Sequence, residues 1–85
     1  MLLLFFKKMT DEEKIKEIFV KIFPEIANDF DLNRDQSDYE NWDSFAQLNL
    51  ITFAEAKFNI SFTLEESIEI KSANDLLRIV EHYLA

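Results

Sequence analysis

Residues 42–58 read WDSFAQLNLITFAEAKF, and this stretch predicts the helix around which the rest of the chain folds. From Ser44 to Phe58 it contains neither Pro nor Gly, and its apolar residues recur at the spacing of a helix. The residues before it are polar and acidic and show no such period. We therefore expect a helix over 44–58, with Ser44 at or just before its N-terminus.

The position of Ser44 has two interpretations. The first N–H groups of a helix have no partner within it and lie at the positive end of the peptide dipoles. A phosphate esterified to Ser44 would therefore be stabilised by its surroundings. Alternatively, Ser44 and Gln47 form a capping box, in which each side chain bonds to the backbone of the other residue. The local pattern leaves both interpretations open.

The predicted helix is apolar on more than one face. One side carries Leu48, Ile51, Glu55 and Phe58. A second set broadens the apolar surface and comprises Phe45, Leu50, Phe53 and Ala54. Such a helix either lies at the centre of a bundle or keeps a surface for a partner.

Upstream, a first amphipathic helix is predicted between Thr10 and Phe23. Thr10 and Glu13 match a capping box, and Pro24 disfavours helical geometry at the residue before it. Residues 25–41 then lose any period, which predicts a long loop. Four side chains are expected to pin this loop to the core: Phe30, Leu32, Tyr39 and Trp42.

The acidic residues of this loop resemble the start of a calcium-binding EF-hand only in part. Asp31, Asn33 and Asp35 alternate as that loop requires. The required Gly is absent, however, and Trp42 occupies the twelfth position, where a bidentate Glu is needed. We expect no dedicated metal site.

Downstream, two more helices are predicted. Thr63 and Glu66 form a second capping box, which opens a short helix ending near Ile70. Ser72 opens the last helix, whose apolar stripe consists of Leu76, Leu77, Val80, Tyr83 and Leu84. Residues 59–62 are expected to form a loop, because no other stretch could pair with them as a strand. The predicted fold class is all-α, a bundle of three main helices plus one short helix, with a long loop after the first helix.

Composition narrows the classes of function. The chain has 85 residues, 48% of them apolar, which suits one small domain. It contains no Cys, which excludes disulfides and a Cys nucleophile, and its single His82 has an ordinary place near the end of a helix. The net charge of −8 argues against nucleic-acid binding and favours partners with basic surfaces. No apolar run approaches the roughly 20 residues that span a bilayer, so no stable membrane insertion is expected.

The first nine residues form a hydrophobic extension ahead of the domain over 10–85. Met1 to Phe6 read MLLLFF, and the two Lys residues follow this apolar run, whereas a secretory signal carries its positive charge first. The extension is either a strip that packs on the domain or a leader upstream of a more natural beginning at Met9.

Five segments of the chain, in their order and spacing, resemble those of acyl carrier proteins of the stand-alone type. They are FPEI at 23–26, the long loop, Asp43-Ser44-Phe45, EAKFNISFTLEESIEI at 55–70, and SANDLL at 72–77. The resemblance covers the chain from Thr10 to the C-terminus. It lies in the spacing of the whole set, since Asp-Ser alone is a weak signal.

The resemblance implies a function without catalysis by the chain itself. Ser44 would carry 4′-phosphopantetheine, transferred from coenzyme A by a phosphopantetheinyl transferase. Asp43 would help to orient the magnesium-bound substrate during loading. Acyl intermediates would then be held as thioesters for fatty-acid-like or specialised biosynthesis. A cytoplasmic monomer is expected, whose further partners are acyl-activating, acyl-transferring or ketosynthase-type enzymes with basic docking surfaces.

The resemblance also implies two further sets of residues. The partner-docking set comprises Phe45, Glu55, Glu65 and Glu66. The acyl chain would fold back between the second and third helices, against Leu48, Ile51, Phe62, Ile68, Ala73 and Leu76.

The chain departs from the family pattern in two ways. It has no Gly before Asp-Ser, where Asn41-Trp42 stands instead. The positions of the second helix expected to be exposed carry little negative charge, being Ala46, Asn49, Ala56 and Lys57 beside Glu55. A dedicated partner is therefore expected. The alternative function is a helical protein-interaction module in which Ser44 is only a cap; a hydrolase is disfavoured, because no general base or oxyanion motif accompanies Ser44.

Overall fold

A computed structural model describes residues 8–85 of the chain. Within this part it is all-α, and its helices are α1 (Asp11–Ile22), α2 (Ser44–Phe58), α3 (Leu64–Glu69) and α4 (Ala73–Leu84). Two short 3-10 turns, Pro24–Ile26 and Gln36–Asp38, interrupt the long connection between α1 and α2. The predicted fold class is thus confirmed. The predicted hydrophobic extension falls mostly on residues 1–7, which lie outside the described residues.

The predicted helix boundaries follow from their capping residues. Capping boxes at Thr10 and Thr63 open α1 and α3, and the Ser72 hydroxyl accepts a hydrogen bond from the amide of Asp75 at the start of α4. α2 ends at Phe58 and is capped by Asn59, whose φ of 56° is in the left-handed region. In a chain without Gly, Asn is the residue that adopts this conformation most readily.

α1 lies between α2 and α4 and packs against both. Its pairing with α2 is antiparallel, because Lys14 lies over the Phe58 ring, Glu17 pairs with Lys57, and Lys21 lies over the Phe53 ring. The buried face of α2 recurs every four residues and consists of Ala46, Leu50, Ala54 and Phe58. Ala46 was expected to be exposed; it belongs to this buried face instead.

The long connection is anchored by the aromatic side chains predicted to pin it. Tyr39 and Trp42 are buried against Phe19 and Phe23 of the α1 end, with ring centroids of Phe23 and Tyr39 4.8 Å apart. Burying one side chain of this size contributes about 1.5–3 kcal/mol. Phe30 packs on the same core while half-buried. The connection is therefore a structured segment that holds the start of α2 in place.

The last helix departs from its predicted stripe at its end. Leu76, Leu77 and Val80 are buried, whereas Tyr83 and Leu84 are exposed. α4 continues beyond the part of the core that covers it, so its final turn reaches solvent. Among the residues described, no helix has both the length and the apolar character needed to cross a membrane.

Candidate functional site

The N-terminus of α2 is capped by Asp43. Its Oδ1 accepts a hydrogen bond from the amide of Ala46 at 3.0 Å, and its carbonyl accepts one from the amide of Gln47 at 2.9 Å. Ser44 is the first residue of the helix and not its cap. Of the two interpretations of Ser44, the capping box with Gln47 is therefore wrong, since Asp43 supplies the cap one residue earlier.

The Ser44 side chain is exposed at the positive end of α2. Of the first four amides of this helix, those of Ala46 and Gln47 bond to Asp43. Within residues 8–85 the structure records no acceptor for the amides of Ser44 and Phe45. An anionic group attached to the Ser44 oxygen would therefore find available N–H donors beside it.

Gln47 joins three segments next to Ser44. Its Oε1 accepts from the indole N–H of Trp42 at 2.6 Å, and its Nε2 donates to the carbonyls of Ser67 at 2.6 Å and Ile70 at 3.2 Å. The end of a helix leaves carbonyls without intrahelical donors, and Gln47 satisfies two of them at the end of α3. This side chain thus ties the loop before α2, α2 itself and α3 together.

A surface depression of about 440 Å³ lies beside Ser44. It is lined by Gln36, Asp43, Ser44, Gln47, Ile68 and Ile70. The site is therefore bounded by the start of α2 on one side and by the end of α3 on the other.

The six residues predicted to line an acyl pocket lie in three different environments. Ala73 and Leu76 are fully buried in the core, while Ile51 and Phe62 are half-buried. Leu48 and Ile68 are exposed. The structure therefore does not gather the six around one interior cavity.

The four predicted docking residues differ in their exposure and in their hydrogen bonds. Phe45 and Glu65 are exposed. The Glu55 carboxylate accepts a hydrogen bond from the amide of Phe62 at 2.9 Å, so it holds the loop that follows α2. Glu66 is bound within its capping box and also accepts from the Tyr83 hydroxyl at 2.5 Å, which is the main reason that the pKa of Glu66 is lowered.

Sequence patterns missed two features of this site. Leu64 is exposed beside the acidic residues of α3, and only its place directly after a helix cap could have pointed to that. The contacts of Gln47 with Ser67 and Ile70 span 20 and 23 residues of sequence, so no local pattern reports them. In the described part of the chain, no group of three or more His, Cys, Asp or Glu side chains is arranged to hold a metal ion.

Comparison of the chain with protein-family models, with curated proteins and with solved structures gave no match.

Proposed function

We propose that this chain is an acyl carrier protein whose Ser44 carries 4′-phosphopantetheine. One observation carries the proposal: Ser44 is the first residue of a 15-residue helix, and its exposed hydroxyl is not needed as a cap because Asp43 already provides one. A hydroxyl at this position is free to be esterified without loss of the helix start. The order of segments that resembles acyl carrier proteins agrees with this placement.

Residues at the start of α2 would stabilise the charge of the bound group and hold the first turn of the helix to which it is attached. 4′-Phosphopantetheine supplies the thiol on which acyl groups are carried as thioesters. The amides of Ser44 and Phe45 favour the negative charge of the phosphodiester. Asp43 holds the first turn of α2 through its hydrogen bond with the amide of Ala46, and it lines the same depression as Ser44. The absence of Cys leaves the thiol of the arm without a competitor in the chain.

The charge of the chain supports the proposed partners. A net charge of −8 favours encounter with enzymes that present basic surfaces. We propose that these are a phosphopantetheinyl transferase and the acyl-activating, acyl-transferring or ketosynthase-type enzymes that use the loaded arm. The proposal places the chain in the cytoplasm as a monomer.

Intact-mass analysis tests the proposal directly. The purified chain is incubated with coenzyme A, magnesium and a broad-specificity phosphopantetheinyl transferase. The expected result is a gain of one phosphopantetheine group, which is lost in Ser44→Ala and kept in Ser61→Ala, a change at another exposed serine. A wild-type chain that gains no mass would overturn the proposal.

A second candidate function is a helical protein-interaction module. It is favoured by the exposed apolar side chains of α2 and α3, which such a module would use to bind a partner. In that case the chain would stay unmodified under the same conditions.

A further inference from the structure

Gln47 bridges the space between α2 and the end of α3 on the side of Ser44. Its side-chain amide donates to the carbonyls of Ser67 at 2.6 Å and Ile70 at 3.2 Å, and its Oε1 accepts from the indole N–H of Trp42 at 2.6 Å. Both N–H groups of the amide and its oxygen are therefore engaged. Moving α3 away from α2 at this point would cost the hydrogen bonds to both carbonyls.

The depression beside Ser44 ends at the packed core. Ile70 is among its lining residues and is almost fully buried. Ala73 and Leu76, which were predicted to line an acyl pocket, are fully buried and do not line this depression. A close-packed interior accepts additional methylene groups only with strain. An acyl chain that folds back from Ser44 therefore meets packed side chains at the end of the depression.

The apolar side chains that remain near Ser44 lie on the outside of the helices. Leu48 is 62% exposed and Ile68 is 65% exposed. An alkyl chain that lies against them keeps one side in water, so each of its methylene groups gains less than it would in the core. Gln36 and Asp43 make the lining of the depression partly polar. A long alkyl chain finds little stabilisation here, whereas a short or polar acyl group loses little by staying in solvent.

We propose that the acyl group on the arm stays outside the helix bundle, that Gln47 closes the path between α2 and α3, and that the carried substrate is a short or polar acyl group. Gln47 is then a specificity-determining residue, because it decides which acyl groups the chain can shelter. The inference rests on the proposed attachment of 4′-phosphopantetheine to Ser44. The folding back of an acyl chain between the second and third helices, which the resemblance implies, is therefore not expected.

Thermal unfolding of two acyl forms tests the inference. A broad-specificity phosphopantetheinyl transferase loads the purified chain from acetyl-coenzyme A or from octanoyl-coenzyme A, and intact mass verifies each form. Burial of the octanoyl chain would raise Tm above that of the acetyl form by about 10 °C, because methylene groups removed from water stabilise the folded state. We expect a difference below about 2 °C in the wild type. The methyl NMR signals of Ala73 and Leu76 should be the same in both forms.

The variant Gln47→Ala tests the role of this side chain. It removes the three hydrogen bonds that close the path, so its octanoyl form should unfold at least about 5 °C above its own acetyl form. The methyl signals of Ala73 and Leu76 should then differ between the two forms. Comparing two acyl forms of one variant cancels the loss of stability that the substitution itself causes. The matched control is Asn49→Ala at an exposed position of α2, which should behave as wild type, and circular dichroism checks that both variants fold.

Three outcomes would overturn the inference, and each is distinguishable from the others. If the octanoyl chain raises Tm of the wild type by about 10 °C and shifts the core methyl signals, the chain enters the bundle while the proposed function stands. If Gln47→Ala shows no difference between its two acyl forms, Gln47 is not the residue that closes the path. If intact mass shows that the wild type is not loaded at all, the proposed function and the inference fail together.

Discussion

The side-chain amide of Gln47 donates a hydrogen bond to the backbone carbonyl of Ser67, with 2.6 Å between Nε2 and O. α3 has six residues and none of them is buried, so packing alone contributes little to its position. The bonds from Gln47 therefore hold the end of α3 beside Ser44.

Replacing Gln47 by Glu should loosen α3. The substitution keeps the acceptor for the Trp42 indole but removes the two donors to the carbonyls of Ser67 and Ile70. We expect a loss of about 1–3 kcal/mol in the free energy of unfolding and faster amide exchange across α3. The matched control is Asn49→Asp, the same chemical change at an exposed position of α2. Unchanged amide exchange in α3 of Gln47→Glu would show that Gln47 does not hold this helix in place.

Variants at Asp43 and Ser44 should separate an effect on the free energy of unfolding from an effect on modification. Asp43→Ala removes the cap of α2 and is expected to cost about 1 kcal/mol in the free energy of unfolding. Ser44→Ala should change stability by less than about 0.5 kcal/mol while abolishing the gain of mass on loading. Urea denaturation and intact mass measure the two effects. A comparable loss of stability in both variants would mean that the Ser44 hydroxyl has a structural role.

Tyr39→Phe should leave the fold intact and increase its stability. The Tyr39 hydroxyl is buried with no hydrogen-bond partner among residues 8–85, and burial raises the pKa of this phenol. Removing an unsatisfied buried hydroxyl is expected to increase the free energy of unfolding by about 1 kcal/mol. Tyr83→Phe is the control, because its hydroxyl donates to Glu66 and its loss should bring no gain. A clear decrease in stability on Tyr39→Phe would contradict the expectation.

The hydrogen bond from Tyr83 to Glu66 should make part of the free energy of unfolding depend on pH. The hydrogen bond from the Tyr83 hydroxyl lowers the pKa of Glu66 from its ordinary 4.5. Since the folded pKa lies below the unfolded one, this contribution is present above about pH 4.5 and is lost as pH falls through the folded value. The same bond raises the pKa of Tyr83 above 10.0, so its contribution is lost as pH rises through the folded value.

Carboxyl titration by NMR measures the effect on Glu66. In Tyr83→Phe its pKa should move back toward the ordinary value, whereas Tyr39→Phe should leave it in place. An unchanged pKa in Tyr83→Phe would assign the shift to the backbone contacts at Thr63 instead.

Charge reversal at Glu65 should slow loading by the transferase. Glu65 is exposed on α3, whose end lies beside Ser44, so Glu65→Lys is expected to raise KM for the chain a few-fold, which is the effect of losing about one exposed charge contact. Glu66→Lys should do the same but also disturb the capping box of α3. Glu81→Lys on α4 provides the same change of charge away from Ser44. Equal loading rates for Glu65→Lys and Glu81→Lys would remove α3 from the interface.

The sequence by itself determined the helices and their boundaries, because the signals that set them are local. Caps at Thr10, Thr63 and Ser72 and the break at Pro24 act within a single turn, and the apolar periods of α1 and α4 mark their buried faces. The place of Ser44 at the start of α2 followed from the same kind of signal.

Only the tertiary structure decided which side chains around Ser44 are exposed and which form hydrogen bonds. Leu48 and Ile68 were expected to line the space between the second and third helices, and both are exposed in the structure. One interpretation of the sequence placed Gln47 in a capping box of its own helix, and it instead bonds to residues far along the chain. Burial and pairing of this kind depend on how separate helices meet, and a local pattern carries no information about that.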